Sequence, residues 1–403
     1  MVDASEESMG DQRPQEPALN SDARRGDPAE GPRMVFFSGG TALRGMSRVL
    51  VSRTHNSVHI VTPFDSGGSS AVLRRAFAMP AVGDIRNRLM ALADLSAPGS
   101  RQIFALFTYR LSRNESDAAL RNELERMARG EQLLVALVPE PARAAVMAGF
   151  RAFLDIMPDG FDLRGASVGN LMLTAGYLAH DRRLAPAIGE MAGLARVCGL
   201  VRPVVDRDMH LAAELEDGSV VVGQHRLTGK ETGPIASRIM RLWLTESLES
   251  AEPAEVRADE SLLAHVRDAD MICYPVGSFY TSVVANLLPL GVGRSVAECA
   301  GPKVFVPNPV GDPELLGHTV ERQANLLRRY LRAGGAPEGA EVLSHVLVDG
   351  RASYPGGLDQ ARLRSLGVRV HDCPLLGDDG LFDPVLLADA LTSLALSGRE
   401  AAA

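Results

Sequence analysis

The feature that most limits what this chain can fold into is its alternation of short apolar runs with amphipathic segments along most of 403 residues. "RMVFF" (33–37) reads as a buried strand, "TALRGMSRVLVS" (41–52) as a helix and "SVHIVTPF" (57–64) as a second strand. Strand-like runs return at "ADMICYP", "PKVFVPNP", "VLSHVLVD" and "GVRVHDCP", separated by helical segments such as "TVERQANLLRRYLRAG" and "DPVLLADALTSLALS". This order predicts a mostly parallel α/β sheet wound on both faces, because parallel strands need a crossover between them. Between about residues 71 and 200 the pattern is helical, with Ile85, Leu89 and Leu92, and again Leu171, Ala175 and Leu178, spaced for one face. A helical layer is expected there. "HLAAELEDGSVVVGQHRL" alternates around Asp217-Gly218 and predicts a β-hairpin insertion at about 208–230.

Residues 1–32 are rich in Asp, Glu, Arg, Pro and Ser and nearly lack large apolar side chains, so they are expected to form a disordered tail before a single domain over 33–400. There is no internal repeat. Net charge is −8 with pI near 5.7, so no basic surplus draws a nucleic acid, although a local basic pocket is compatible with it. No apolar window has the length of a membrane span, about 20 residues. Cys198, Cys273, Cys299 and Cys373 lie far apart with no C-x-x-C pair, and no export signal precedes them. Free thiols in the cytoplasm are the expectation.

Ser38-Gly39-Gly40-Thr41 follows the first strand and precedes a helix, where open α/β sheets hold their ligands. Glycines let backbone approach an anion, and the first amides of a helix favour negative charge. The other reading is a tight turn with Thr41 as a helix cap. A second loop, "TPFDSGGSSAVLRR" (62–75), brings Asp65, Ser66, Gly67, Gly68 and Ser69 to the same edge. Asp65 suits a metal or an attacking hydroxyl's proton, or else an Asx turn. In "VGDIRNRLMALAD", Asp84 is either a helix cap or the second member of a carboxylate pair, with Asn87 beside it. Asn170, in "RGASVGNLMLTAGYL", reads either as a cap or buried backbone partner, or as an amide facing a base or sugar. "PVGSFYTSVVANLLP" (275–289) is a third loop of this type, with Gly277, Ser278, Tyr280 and Thr281 at the sheet edge. His55 and His59 are expected at the surface and Trp243 in the core; Arg74, Arg75 and Arg86 could neutralise phosphates, but solvated helix charges are the commoner case.

Taken in order, "GGTALRGM", "VTPFDSGGSSAVLRR", "VGDIRNRLMALAD", "LFTYRL", "SVGNLML", "GSFYTS" and "VFVPNP" resemble the CofD/YvcK superfamily, which joins 2-phospho-L-lactate transferases to gluconeogenesis-factor proteins. The likeness runs from about residue 34 past 310. It implies a Rossmann-like domain, usually dimeric, whose glycine loops hold a nucleotide diphosphate. On the CofD side it implies transfer of a phospho-linked group to an acceptor hydroxyl with Mg2+; on the YvcK side, binding of a nucleotide-sugar in a regulatory role. Carried over by position, the resemblance implies binding roles for Gly39, Gly40, Thr41, Ser66, Gly67, Gly68, Ser69, Asn87, Asn170, Gly277, Ser278 and Tyr280, catalysis by Asp65 and Asp84, and metal binding by Asp65. The sequence departs from the family pattern at Ala42, where a further glycine is common, at Ser66, where a second acid is usual, at Ala166, and in "PVGS". These departures resemble the CofD-related branch of GAK systems, which implies kinase-like or ATP-grasp partner proteins.

Overall fold

The computed structural model describes residues 26–229 and 233–402. Among these, seven strands form the parallel sheet: β1 (Met34–Ser38), β2 (Val58–Val61), β3 (Leu200–Pro203) and, after a separate three-stranded sheet, the later four. The small sheet comprises β4 (His210–Leu215), β5 (Val220–Val222) and β6 (Ile239–Thr245); the main sheet resumes with β7 (Met271–Tyr274), β8 (Lys303–Phe305), β9 (His345–Val348) and β10 (Arg369–Asp372). The order is β10-β9-β8-β7-β1-β2-β3. The chain therefore builds outward from β1 in one direction, then returns to the opposite side of β1 and builds the other way. At such a reversal the crossovers leave on opposite faces, opening a crevice at the carboxyl ends of β1 and β7.

The all-apolar β1 run has a direct cause. Met34 and Phe36 pack on one face with Leu43, Met46, Leu387 and Leu391, whereas Val35 and Phe37 join Tyr274 and Phe305 on the other. Successive side chains point to opposite faces, and here both faces are covered. The expected helical layer fills the long connection from β2 to β3, and its core contains Ile85, Leu89, Leu92, Leu171 and Ala175, with Leu178 packed at its margin.

The hairpin is present, with Gly218 at φ +82° and the Leu215 amide donating to Ser219 O (2.9 Å). It gains an unforeseen third strand, β6, antiparallel along the other edge of β4. In β6, Leu242 and Leu244 enter the core, while Trp243 alternates outward to half-burial, its Nε1–H donating to Ala251 O (2.9 Å) and the Arg241 guanidinium 5.2 Å from its ring. His59 is also corrected: strand alternation buries it completely, stacked on Phe36 at 5.0 Å, whereas His55 is exposed. Residues 1–25 of the expected tail lie outside the described residues. Its last part is ordered: Asp27 caps a short 3-10 turn, Pro28–Glu30, and Thr54 Oγ1 donates to Pro32 O (2.8 Å). Among the described residues no helix is long and apolar enough to cross a membrane.

Burial holds the imidazoles of His210 and His345 down at about 4 and that of His59 well below its ordinary value. The unfolded chain binds protons at these positions near pH 6.5 and the folded chain does not, so their neutral forms are stabilising above that pH and the advantage is lost on acidification. Melting temperature is expected to fall as pH drops from 6.5 towards 4, and His345→Gln to flatten part of that fall in thermal melts across this range.

Candidate functional site

Three helices begin at the crevice: α1 (Arg44–Leu50), α2 (Gly68–Phe77) and α3 (Gly83–Ala91). None has a side-chain cap; their N-cap positions are Leu43, Gly67 and Val82. Elsewhere Ser116, Asp259 and Thr319 do cap helices through their side chains. First-turn amides need a partner, and an anion is a favourable one. The helix starts surround a cleft of about 640 Å³. Thr41 lines it without capping α1, and Asp84 lies in the first turn of α3 rather than at its cap.

The first loop is glycine-rich because it lies against Asp84 and Ser282. A Cβ on Gly40 would lie 2.2 Å from Asp84 Oδ1 and 2.9 Å from its Cα; one on Gly39 would lie 2.5 Å from Ser282 Oγ. Gly68 has a different reason: φ is +48°, and the space above it is open. Beneath the first loop Arg88 is fully buried, donating to Gly39 O (2.6 Å), Ser38 Oγ (3.2 Å) and Ser47 Oγ. In the second loop Asp65 Oδ1 accepts from the Gly67 amide (3.1 Å), so the Asx turn and the cleft-lining position hold together. Arg74 is not a solvated charge. It is 5% exposed, pairs with Asp208 (2.5 Å) and donates to Phe64 O (3.2 Å) and Asp65 O (3.0 Å), bracing this loop.

Facing the glycine loops is a basic wall of Arg86, Arg110 and Arg113. Arg86, expected in solvent, is 5% exposed, and burial with Arg110 and Arg44 nearby lowers its pKa to about 10, so it stays charged at neutral pH. Its Nε donates to Asn170 Oδ1 (3.2 Å). Asn170 is neither cap nor backbone partner through that oxygen, and its Nδ2 is buried with no hydrogen-bond partner. It lines the cleft together with Ser69 and Asn87. An unsatisfied buried donor is costly, which marks this amide as one a ligand would satisfy.

The third loop differs from its expectation. Gly277 and Ser278 line the cleft, but the amides that follow are taken: Phe279 N–H donates to Asp312 Oδ2 (2.8 Å), and Tyr280 and Thr281 N–H both donate to Glu314 Oε2 (2.9 Å each). Tyr280 is a core residue, its hydroxyl donating to Ile239 O (3.0 Å). Ser66 sits behind the cleft, with its Oγ 2.7 Å from His225 Nδ1. His225 itself lines the cleft with Gln224 and Thr228, all from the segment after β5. No local pattern announced them, since tertiary packing brings them there. Arg110 lay within the quoted "LFTYRL" run, and nothing around it assigned a role to its side chain.

A doubly wound α/β protein with an amide-rich, arginine-walled cleft at its strand reversal is the class these features define. The family model described as 2-phospho-L-lactate transferase CofD matches residues 34–376, and the chain belongs to this family. The gluconeogenesis factor of Bacillus subtilis is 30% identical over 75% of this chain and 76% of its own length. A relative from a Nostoc species is 29% identical over 87% of this chain, which spans 64% of that protein's length. A crystal structure of a UPF0052 family member from Bacillus halodurans aligns with TM-score 0.67 and 25% identity, covering 90% of this chain and 99% of that one.

Gly40→Ala is expected to push Asp84 and the first loop apart. Overpacking of this kind costs about 1–3 kcal/mol or more. The melting temperature of the variant should fall in thermal melts run beside the wild type.

Proposed function

We propose that the chain is a CofD-like transferase that holds a nucleotide diphosphate donor on the loops at 38–41 and 66–70 and passes its distal phospho-linked group to an acceptor hydroxyl. The observation that carries this reading is the convergence of uncapped helix amides and buried Arg86 on one cleft. In the step, the acceptor oxygen bonds to the distal phosphorus, the bond from that phosphorus to the bridging oxygen breaks, and a mononucleotide leaves. Asp65 orients the hydroxyl and accepts its proton, while Asp84 fixes the first loop. Phosphoryl transfer depends mainly on alignment and charge neutralisation, which the loop amides, Arg86, Arg110 and Arg113 supply. Asn170 Nδ2 has its missing partner in the nucleoside.

The donor set fits Mg2+. Among the described residues no cluster of three or more His, Cys, Asp or Glu forms a complete metal cage, but Asp65 and Asp84 both line the cleft. One or two carboxylates completed by phosphate and water is the usual magnesium arrangement. Held there by Asp65, the ion would neutralise phosphate charge. As a proposal resting on resemblance, the active form is a cytoplasmic homodimer acting beside kinase-like or ATP-grasp proteins; its mass in solution and co-purification read this.

A second reading is a YvcK-like regulatory protein that binds a nucleotide-sugar without turnover. The engagement of Asp65 in its own turn and the gluconeogenesis-factor relatives favour it. Asp65→Asn separates the two, because an amide keeps the oxygen that accepts from Gly67 but not the base. The transferase reading expects release of mononucleotide from guanosine- or uridine-diphosphate donors, falling by about 10²–10⁴-fold in this variant with binding retained. A ligand that stabilises the protein yet stays chemically intact across a panel of acceptors supports the regulatory reading instead.

A further inference from the structure

Sharing Arg86, Asn87 and Arg110 with the cleft is a second recess of about 310 Å³, walled by Arg44, Arg48, Arg86 and Arg110 and closed by Asn87 and Phe104. Arg44 and Arg48 stand one turn apart on α1 and reach solvent, and the Arg48 guanidinium lies 6.0 Å from the Phe104 ring. Arg86 on α3 is 5% exposed and lines both spaces. Among the described residues Asp84 offers Arg86 a carboxylate charge, which burial and the nearby Arg110 and Arg44 outweigh. The contrast within the molecule is direct: the buried Arg74 has Asp208, and the half-buried Arg53 has Asp389 at 2.7 Å. Four guanidiniums around one recess in a chain of net charge −8 are mutually repulsive until something negative enters.

We propose that this recess is a second oxyanion subsite, taking a phosphate group that is distinct from the diphosphate on the glycine loops. It goes beyond the donor site proposed above, and it brings two anions to two spaces that share one buried arginine. The phosphate belongs either to a second molecule, such as a phosphorylated acceptor, or to a third phosphate of the nucleotide itself. Guanidinium forks suit phosphate in both cases.

The test uses the full chain with inorganic phosphate as probe, read by calorimetry and by phosphorus resonance broadening, with and without saturating guanosine or uridine diphosphate. Arg44→Gln/Arg48→Gln changes two exposed side chains, and its melting temperature checks that it folds. Phosphate affinity is expected to fall at least about tenfold in the double variant, by the loss of charge-assisted bonds, and by more than the diphosphate's own affinity falls. Phosphate binding to the diphosphate-loaded protein assigns the recess to a second molecule. A nucleoside triphosphate that outbinds the diphosphate, with the advantage lost in the double variant, assigns it to the nucleotide. Phosphate that binds wild type and the double variant equally, or fails to bind while triphosphate shows no advantage, overturns the proposal. Failure of the diphosphate alone to bind would sink the donor site and leave the phosphate comparison readable.

Discussion

The position of the first loop depends on a charge held inside the protein. Arg88 is fully buried and donates to the Gly39 carbonyl and the hydroxyls of Ser38 and Ser47, and Asp84 is the carboxylate that offsets its cost of burial. Both acidic and basic members come from α3, so one helix supports the loop from below with Arg88 and presses on it from the side with Asp84. The two terminal nitrogens of Arg88 carry these bonds while Nε stays buried without a partner, so the charge is held at a cost that fixes the backbone of the loop.

The same electrostatics is resolved in two ways along one sheet edge. At the segment after β7, the carboxyl oxygens of Asp312 and Glu314 accept from the amides of the buried residues Phe279, Tyr280 and Thr281. Burial and the neighbouring Asp312 hold the Glu314 carboxyl well above the usual carboxylate range, a sign that the protein bears a cost to keep this end closed. At α1, α2 and α3 the N-cap residues Leu43, Gly67 and Val82 make no capping side-chain bond of their own. The difference separates loops that look alike in sequence, and it explains why Tyr280 belongs to the interior.

Most of the parallel sheet was legible because buried parallel strands are uninterrupted apolar runs, as Met34–Ser38 and Met271–Tyr274 are. β3 escaped notice because it is an edge strand of four residues carrying Arg202 and Pro203. Of the site, Gly39, Gly40, Gly67, Gly68, Asp65, Asp84, Asn87 and Asn170 could be read from motifs, and all of them line the cleft. The basic wall was harder to see. An arginine on a helix is usually solvated, and only packing shows that Arg86 is enclosed and Arg74 paired. His225 reaches Ser66 from 159 residues away, and short-range patterns carry no information about such contacts.

The reversal of strand order also sets when the site exists. Asn286 donates to the Ser38 carbonyl across 248 residues, and Gly277 and Ser278 close the cleft from the far side of β1. During synthesis the glycine loops at 38–41 and 66–70 emerge from the ribosome long before β7, their neighbour, has been made. An anion drawn to this cleft would therefore stabilise an already assembled sheet and could not act as a template for its early folding.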